Sequence, residues 1–507
     1  MDVPVPGSAQ EDARFHHLQK RLVAQFCDVF PDPLKPRTVV VIPSLTLDAD
    51  VLHKVSGAHH YEERMLCMLL LLRMPATHVI YVSSQAIDPT IIDYMLHLLP
   101  GIPVHHARKR LTLLSCRDAS SAPLSRKILD RPRLLRRIQT QIPDLASAHM
   151  TCFNVTALEK TLAVRLGIPL YACDPALTAL GSKSGSRKMF AEAGVKMPEG
   201  VEDLRDAHDL VQALADLKHQ SPTLRRAVVK LNEGFSGEGN AVFSYAGAPA
   251  GASLPVWLRQ ELPARLRFEA TGETWESYCA KFETMGGIVE RFIDHDIKRS
   301  PSAQCRIDPL GHSEVISTHD QVLGGPSGQV FLGCTFPADE AYRLDIQRAG
   351  DQVAEVLRQR GVLGRFAIDF VSTKEGEQWE HYAIEINLRK GGTTHPFLML
   401  EFLTDGAYDK ETGLYYTPSG QPRFYYASDN LQSPLYRGLA PEDLIDISVV
   451  HQLHFQSTTQ RGVVFHLIGA LSEFGKLGVV CIDESVSQAC QAYEETVAIL
   501  NAEAQSV

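Results

Sequence analysis

Three oxygen-bearing side chains late in the chain stand at a spacing that suits metal and phosphate chemistry. In Phe366–Phe370, strand alternation puts Asp369 on the face opposite Ile368 and Phe370. In His381–Asn387, Glu385 and Asn387 share one face, and Ile384 and Ile386 occupy the other. The polar connection Ser372–Gln378 would fold the two segments into a hairpin and make Asp369, Glu385 and Asn387 cross-strand neighbours. Carboxylates on otherwise apolar strands are costly to bury without a counter-charge. Hard oxygen donors in this number suit Mg²⁺ shared with substrate phosphates. The plainer reading of the same pattern is the exposed polar face of a half-buried hairpin.

Directly after Asn387 runs Leu388–Pro396, which carries Arg389, Lys390, Gly391, Gly392 and His395. Cations and glycines beside a metal site suit a substrate carboxylate or a developing oxyanion, although a turn with solvent-facing cations has the same composition. In Ser302–Arg306, Gln304 and Arg306 share a face, and Arg306 would project toward the same cleft, although an ordinary strand face reads the same way. A second constellation is the loop Asn232–Asn240, in which Gly234, Gly237 and Gly239, with Ser236, free backbone N–H groups to turn toward an anion. Lys230, at the end of the strand entering the loop, places an ammonium within reach of phosphate oxygens. The loop joins two strands and lacks Gly-Lys-Ser/Thr, so neither a Walker loop nor a dinucleotide fingerprint fits. Taken alone it also reads as a flexible hairpin loop. The pairs His59–His60 and His105–His106 have no partner at ligand spacing and read as surface. No Gly-x-Ser-x-Gly or convincing Ser/His/Asp order supports a serine hydrolase.

These residues need a scaffold. From about residue 38, β-branched runs alternate with helical periodicity: strands at Thr38–Pro43, His78–Val82 and around Val104, helices at Tyr61–Leu72 and Thr90–Leu99. A second round follows, with strand Met150–Phe153, helix Thr156–Leu166 and strand Ile168–Ala172. The intervening Ser125–Arg137 is basic and reads as a solvated helix face rather than a binding groove. Beyond Asp174–Pro175 come a Lys- and Arg-bearing helix ending at Ala193–Gly194, a helix at Asp203–Leu217, and strands at 227–231, 241–243 and 287–293. Residues 302–387 are strand-rich around one helix near Leu344–Arg360. From 441 the chain is α/β again, ending in a helix with Val486, Cys490, Tyr493 and Val497 on its apolar face.

The chain has 507 residues, a prior of about three domains. Its 50 basic and 60 acidic residues give a net charge of −10, a poor basis for nucleic-acid binding. The longest purely apolar run, Met65–Leu72, falls far short of the ~20 residues that span a bilayer. The ten cysteines are scattered singly, as expected of reduced thiols, and Met1–Phe15 has no signal-peptide pattern. The expectation is a cytoplasmic, multidomain enzyme with neither nucleic acid nor membrane as partner.

Taken in order, these motifs resemble the ATP-grasp superfamily. Gly181–Lys188, Val229–Gly237, Ser317–Gly325 and Glu385–Pro396 resemble, more narrowly, the pheganomycin-type peptide ligases, over about 170 to 480. The resemblance implies an α/β (α+β) ATP-grasp fold with an N-terminal Rossmann-like pre-ATP-grasp layer. It divides the chain into that layer (1–173), a small nucleotide-binding lid subdomain (174–300), a large subdomain with the Mg and substrate site (301–430) and a C-terminal α/β segment (431–507). It implies that Lys183, Arg187 or its close competitor Lys188, and Lys230 touch ATP. Gly234, Ser236, Gly237, Glu238 and Gly239 would close over its phosphates, and Glu290, Phe292 and Ile293 would form the adenine hinge. Asp294 and Asp296 compete for the ribose. Asp369, Glu385 and Asn387 would hold one or two Mg²⁺, with Mn²⁺ able to substitute; Arg306 and Arg389 would be catalytic; and Gln304, Lys390, Gly391, Gly392 and His395 would bind substrate. The implied reaction joins a small-molecule carboxylate to an amine or short peptide through an acyl phosphate, in a chain that is often a homodimer in this superfamily. The alternatives are a carboxylate–thiol ligase, a small-molecule kinase and a non-catalytic nucleotide-binding scaffold.

Overall fold

The run Thr38–Val41 is entirely β-branched, and it lies within a strand, β1 (Arg37–Ile42), that is buried from end to end. The computed structural model describes residues 4–46, 57–234, 239–324 and 330–505. β1 pairs in parallel with β2 (Thr77–Ser83) and β4 (Ala148–Cys152), and β3 (Leu111–Ser115) extends the sheet beyond β2. β1 is covered on both faces, which is why it reads as a nearly continuous β-branched run. One face packs on Phe15, Ile128 and Leu162, whereas Val39, Val41 and Tyr81 share a core with Phe397, Tyr425 and Val464 from the far end of the chain.

Several elements differ from the sequence expectation. The strand expected around Val104 is a short helix, Val104–Arg108, entered from Pro103, and the strand falls at β3 instead. Ile168–Ala172 makes a single bridge, Met150 to Leu170. Tyr61–Leu72 lies in a 3-10 helix, Ala58–Arg73. In the basic stretch Arg126, Arg133, Arg136 and Arg137 are exposed. Lys127, however, is buried and donates to Ser84 Oγ at 3.0 Å and to two backbone carbonyls.

A second, antiparallel sheet runs β5 (Gly200–Leu204), β9 (Gly287–Arg291), β6 (Arg226–Leu231), β7 (Asn240–Ser244), β8 (Arg267–Phe268) in spatial order. Helices Ala207–Gln220, Leu254–Arg265 and Trp275–Met285 cover it through Leu210, Leu258 and Phe282.

The largest sheet has eleven strands: β10 (Lys298–Arg299), β11 (Pro301–Ile307), β12 (Ser313–Gly324), β13 (Val330–Phe336), β14 (Gly364–Glu375), β15 (Gln378–Asn387), β16 (Ala407–Asp409), β17 (Leu414–Tyr416), β18 (Pro422–Gln432), β19 (Gly462–His466) and β20 (Lys476–Asp483). β14 lies between β15 and β11, antiparallel to both. β18 pairs with β20, and β20 with β19. Residues beyond 431 therefore complete the large sheet rather than pack on it as a separate segment. The closing helix Val486–Gln505 buries Ala489, Thr496 and Leu500, with Tyr493 and Val497 partly buried at its margin.

Candidate active site

The hairpin β14–β15 sets Asp369 directly opposite Glu385, and Ala367 opposite Asn387, so the two carboxylates and the amide crowd one face. Asp369 accepts hydrogen bonds from Asn387 Nδ2 at 2.9 Å and from Gln321 Nε2 at 2.8 Å. Burial and the neighbouring Glu385 charge push the Asp369 carboxyl up to about 6. Burial also acts to raise the Glu385 carboxyl, but the Lys183 ammonium and Arg389 outweigh it and hold the group below its ordinary value.

Lys183 forms an ion pair with Glu385 from the first turn of the helix Lys183–Ala193. That turn is fixed from three sides. Lys183 N–H donates to Asn232 O at 3.1 Å and Ser184 N–H to Asn232 Oδ1 at 2.9 Å. Ser186 Oγ accepts from Ile386 N–H at 3.0 Å, tying the helix to β15. At Gly185 a Cβ would lie 2.0 Å from Ala179 O, an approach that only glycine permits.

Toward the second sheet the charges form a buried network. Lys230 on β6 pairs with Glu290 on β9. Arg187 lies 3.6 Å from Glu290, donates to Glu202 at 3.0 Å and to Pro198 O at 2.9 Å. Lys188, its competitor in sequence, is exposed and pairs with Asp203 at 2.6 Å, away from this network. Lys230 also acts electrostatically on Glu385, so the two clusters share one neighbourhood.

Gly234 and Gly239 flank the entrance to the glycine-rich loop, and Leu231 N–H donates to Gly239 O at 2.9 Å. Ser236, Gly237 and Glu238 lie outside the described residues. β9 ends at Arg291, so Phe292 and Ile293 continue as irregular backbone, with the Arg226 guanidinium 3.9 Å over the Phe292 ring. Asp294 pairs with Arg226 at 2.9 Å, and Asp296 is exposed.

Other candidates are placed elsewhere. Arg306 stands opposite Arg365, four residues along β14 from Asp369 and so about 13 Å away, and is paired with Glu314. Gln304 is buried and accepts from Thr394 Oγ1 at 3.2 Å. Lys390 points away from the cluster: its ammonium donates to Thr151 Oγ1 at 3.1 Å and to Cys152 O at 2.6 Å, which straps the turn to the end of β4. His395 is buried against His466, with nitrogens 3.3 Å apart. Gly392 makes room for Phe331, whose ring would stand 2.6 Å from a Cβ, whereas Gly391 faces open space. Arg389, half-buried, faces both Glu385 and Asp369.

Sequence reasoning missed two contributors. Gln321 orients Asp369, and its place on a strand two residues from buried His319 was the available signal. Arg64, a charge at the edge of the apolar run, is buried between the rings of Tyr61 and Phe153 and pairs with Asp429 at 3.4 Å.

Residues 175–247 and 250–411 match the family described as IQCH-like, ATP-grasp, and residues 443–496 match the PGM1 C-terminal domain. The chain is 30% identical over 462 residues to L-propargylglycine–L-glutamate ligase of Streptantibioticus cattleyicolor, a match covering 88% of this chain and 91% of that protein. The chain belongs to the ATP-grasp family. Within the family it is also 24% identical over 430 residues to IQ motif-containing protein H of Danio rerio, covering 76% of this chain and 40% of that protein. The ATP-grasp fold extends to two solved structures. An ADP complex of N5-carboxyaminoimidazole ribonucleotide synthetase superimposes with TM-score 0.52 at 12% identity, covering 92% of this chain and 98% of that one. The biotin carboxylase β-γ-ATP complex from Campylobacter jejuni gives TM-score 0.54 at 12% identity, covering 93% and 96%. Among the described residues, no helix is long and apolar enough to cross a membrane.

Proposed function

We propose that this ATP-grasp chain joins a small-molecule carboxylate to an amine at the expense of ATP, releasing ADP and phosphate. The chain is thus an ATP-dependent carboxylate–amine ligase, in line with the ligase it is similar to over most of its length. The observation that carries this reading is the opposition of Asp369 and Glu385, with Asn387 beside them, between Lys183 and Arg389.

Asp369, Glu385 and Asn387 would hold Mg²⁺: their donors are hard oxygens, and Asp369 accepts hydrogen bonds from two neutral amides that an ion could displace. When bound, the ion neutralises charge on the transferring phosphoryl group. Lys183 and Lys230 approach from the side of the glycine-rich loop and bring positive charge to the phosphates. The substrate carboxylate attacks the γ-phosphate, and the amine then displaces phosphate from the acyl phosphate. Arg389, which faces Glu385 and Asp369, would stabilise the oxyanion of that second step. All ten cysteines are free, which supports a cytoplasmic location.

The decisive experiment supplies Mg·ATP with pooled amino acids and short peptides, then measures ADP and product masses. A product one water lighter than the sum of its two substrates is the expected result. ATP binding without ADP under every acid and amine combination would overturn the ligase reading.

A further inference from the structure

The first residues of the 3-10 helix Ala58–Arg73 meet the short helix Ala470–Phe474 at a cavity of about 370 Å³, away from the hairpin β14–β15. His59 and His60, expected to be unpartnered surface residues, are half-buried there and face Glu473. The Nε2 atoms of His59 and His60 lie 3.9 and 3.7 Å from the same Glu473 oxygen, and the three ligand atoms fall within 4.8 Å of one another.

The His60 ring is oriented from behind. Its Nδ1 lies 3.0 Å from Glu63 Oε1, and Glu63 is itself aimed by Gly469 N–H, which donates to Oε2 at 3.0 Å. A carboxylate only accepts, so Nδ1 donates to it, and Nε2 is the ring nitrogen turned toward Glu473. Nε2 is buried and makes no hydrogen bond. A ring nitrogen without a hydrogen bond and a carboxylate oxygen thus face each other across a gap that a cation would fill. Gly469 completes the arrangement: a Cβ there would stand 2.1 Å from Glu63 Oε1 and 2.5 Å from His60 Nδ1.

We propose that His59, His60 and Glu473 bind a divalent transition-metal ion of the zinc class, with a coordination position left open toward the cavity. Imidazole nitrogens select zinc-like ions over Mg²⁺. Ligand atoms about a tetrahedral ion with bonds of ~2 Å lie about 3.3 Å apart, so the observed spacing needs only small adjustment. The Glu63–His60 contact is the outer carboxylate that orients a metal-bound imidazole. Three protein ligands plus an exchangeable position is the pattern of a zinc site that accepts water or an anionic ligand. The ion would also join the N-terminal layer to the C-terminal helix Ala470–Phe474.

The test uses the full-length chain, stripped with a chelator and titrated with Zn²⁺ by calorimetry and with Co²⁺ by visible absorption. The expected result is a single tight site with the d–d bands of a four-coordinate ion. His60→Gln should abolish it, and Glu63→Gln should weaken it about tenfold or more. Glu473 is exposed, so Glu473→Gln separates lost ligation from lost folding, and it should weaken binding with circular dichroism unchanged. Glu385→Ala, in the ATP cluster, should leave Zn²⁺ binding intact. Equal Zn²⁺ stoichiometry and affinity in wild type, His60→Gln and Glu473→Gln would overturn the proposal, as would no binding in the wild type. The second outcome would identify the pair as an imidazolium–carboxylate contact.

Discussion

The two sheets that face the helix Lys183–Ala193 handle buried charge differently. On the hairpin β14–β15, Asp369 is satisfied by the amides of Gln321 and Asn387, and its carboxyl is pushed up to about 6. On the second sheet, Lys230 and Arg187 meet Glu290 and Glu202 in a network in which charge answers charge. The first arrangement leaves Asp369 hydrogen-bonded to amides while Lys183 and Arg389 lean on Glu385, a carboxylate pair whose hard oxygens suit a divalent cation. The second is a braced framework that holds its cations in place. The difference separates residues whose loss should stop chemistry from residues whose loss should first loosen the fold.

Glu385→Ala should break the hairpin side, lowering amine-dependent ADP release by about 100-fold or more while ATP binding persists. Near-normal turnover in a coupled ADP assay would erase the distinction between the two sheets. Glu290→Ala should act on the other side, leaving Lys230 and Arg187 buried without their shared carboxylate. The expected cost is about 3–5 kcal/mol in urea unfolding. A variant as stable as wild type would mean that the network is not a brace.

His319, buried in the large sheet behind the hairpin with its Nε2 2.6 Å from the Tyr425 hydroxyl, sharpens the contrast. Burial depresses its pKa from 6.5 to about 3, so its contribution to stability is present above about pH 6.5 and is lost as pH falls toward about 3. At about pH 5 the loss is about 2 kcal/mol, and His319→Gln should flatten that part of the stability–pH curve measured by urea unfolding. The smallest effect is expected for Lys188→Ala, which removes an exposed pair next in sequence to buried Arg187. It should change stability by less than about 1 kcal/mol and leave ADP release unaltered.

The hairpin face was readable because strand period puts Glu385 and Asn387 together and a short connection brings Asp369 onto the facing strand; a bulge between Asp369 and Phe370 then sets Asp369 opposite Glu385 rather than Ile384, and nothing in the alternation announced it. The same local logic placed the helix Lys183–Ala193, stopped at Gly194 in the left-handed region with φ 67°. It failed for Val104, where Pro103 opens a helical turn, and for Arg306, where sharing a face with Gln304 says nothing about distance along the strand. Lys390 looked like a substrate cation because its partners, Thr151 and Cys152, come from a different sheet.

Sequence alone thus determined the α/β class, the strand alternation that puts Glu385 and Asn387 on one face, and the residue types of an ATP-grasp site. Tertiary structure alone decided that Arg187 rather than Lys188 meets Glu290, that Gln321 supports Asp369, and that Glu473 faces His59 and His60. The physical reason is range. Backbone periodicity sets the direction of a side chain relative to its own strand or helix, whereas the group it meets across a core depends on how separate layers pack.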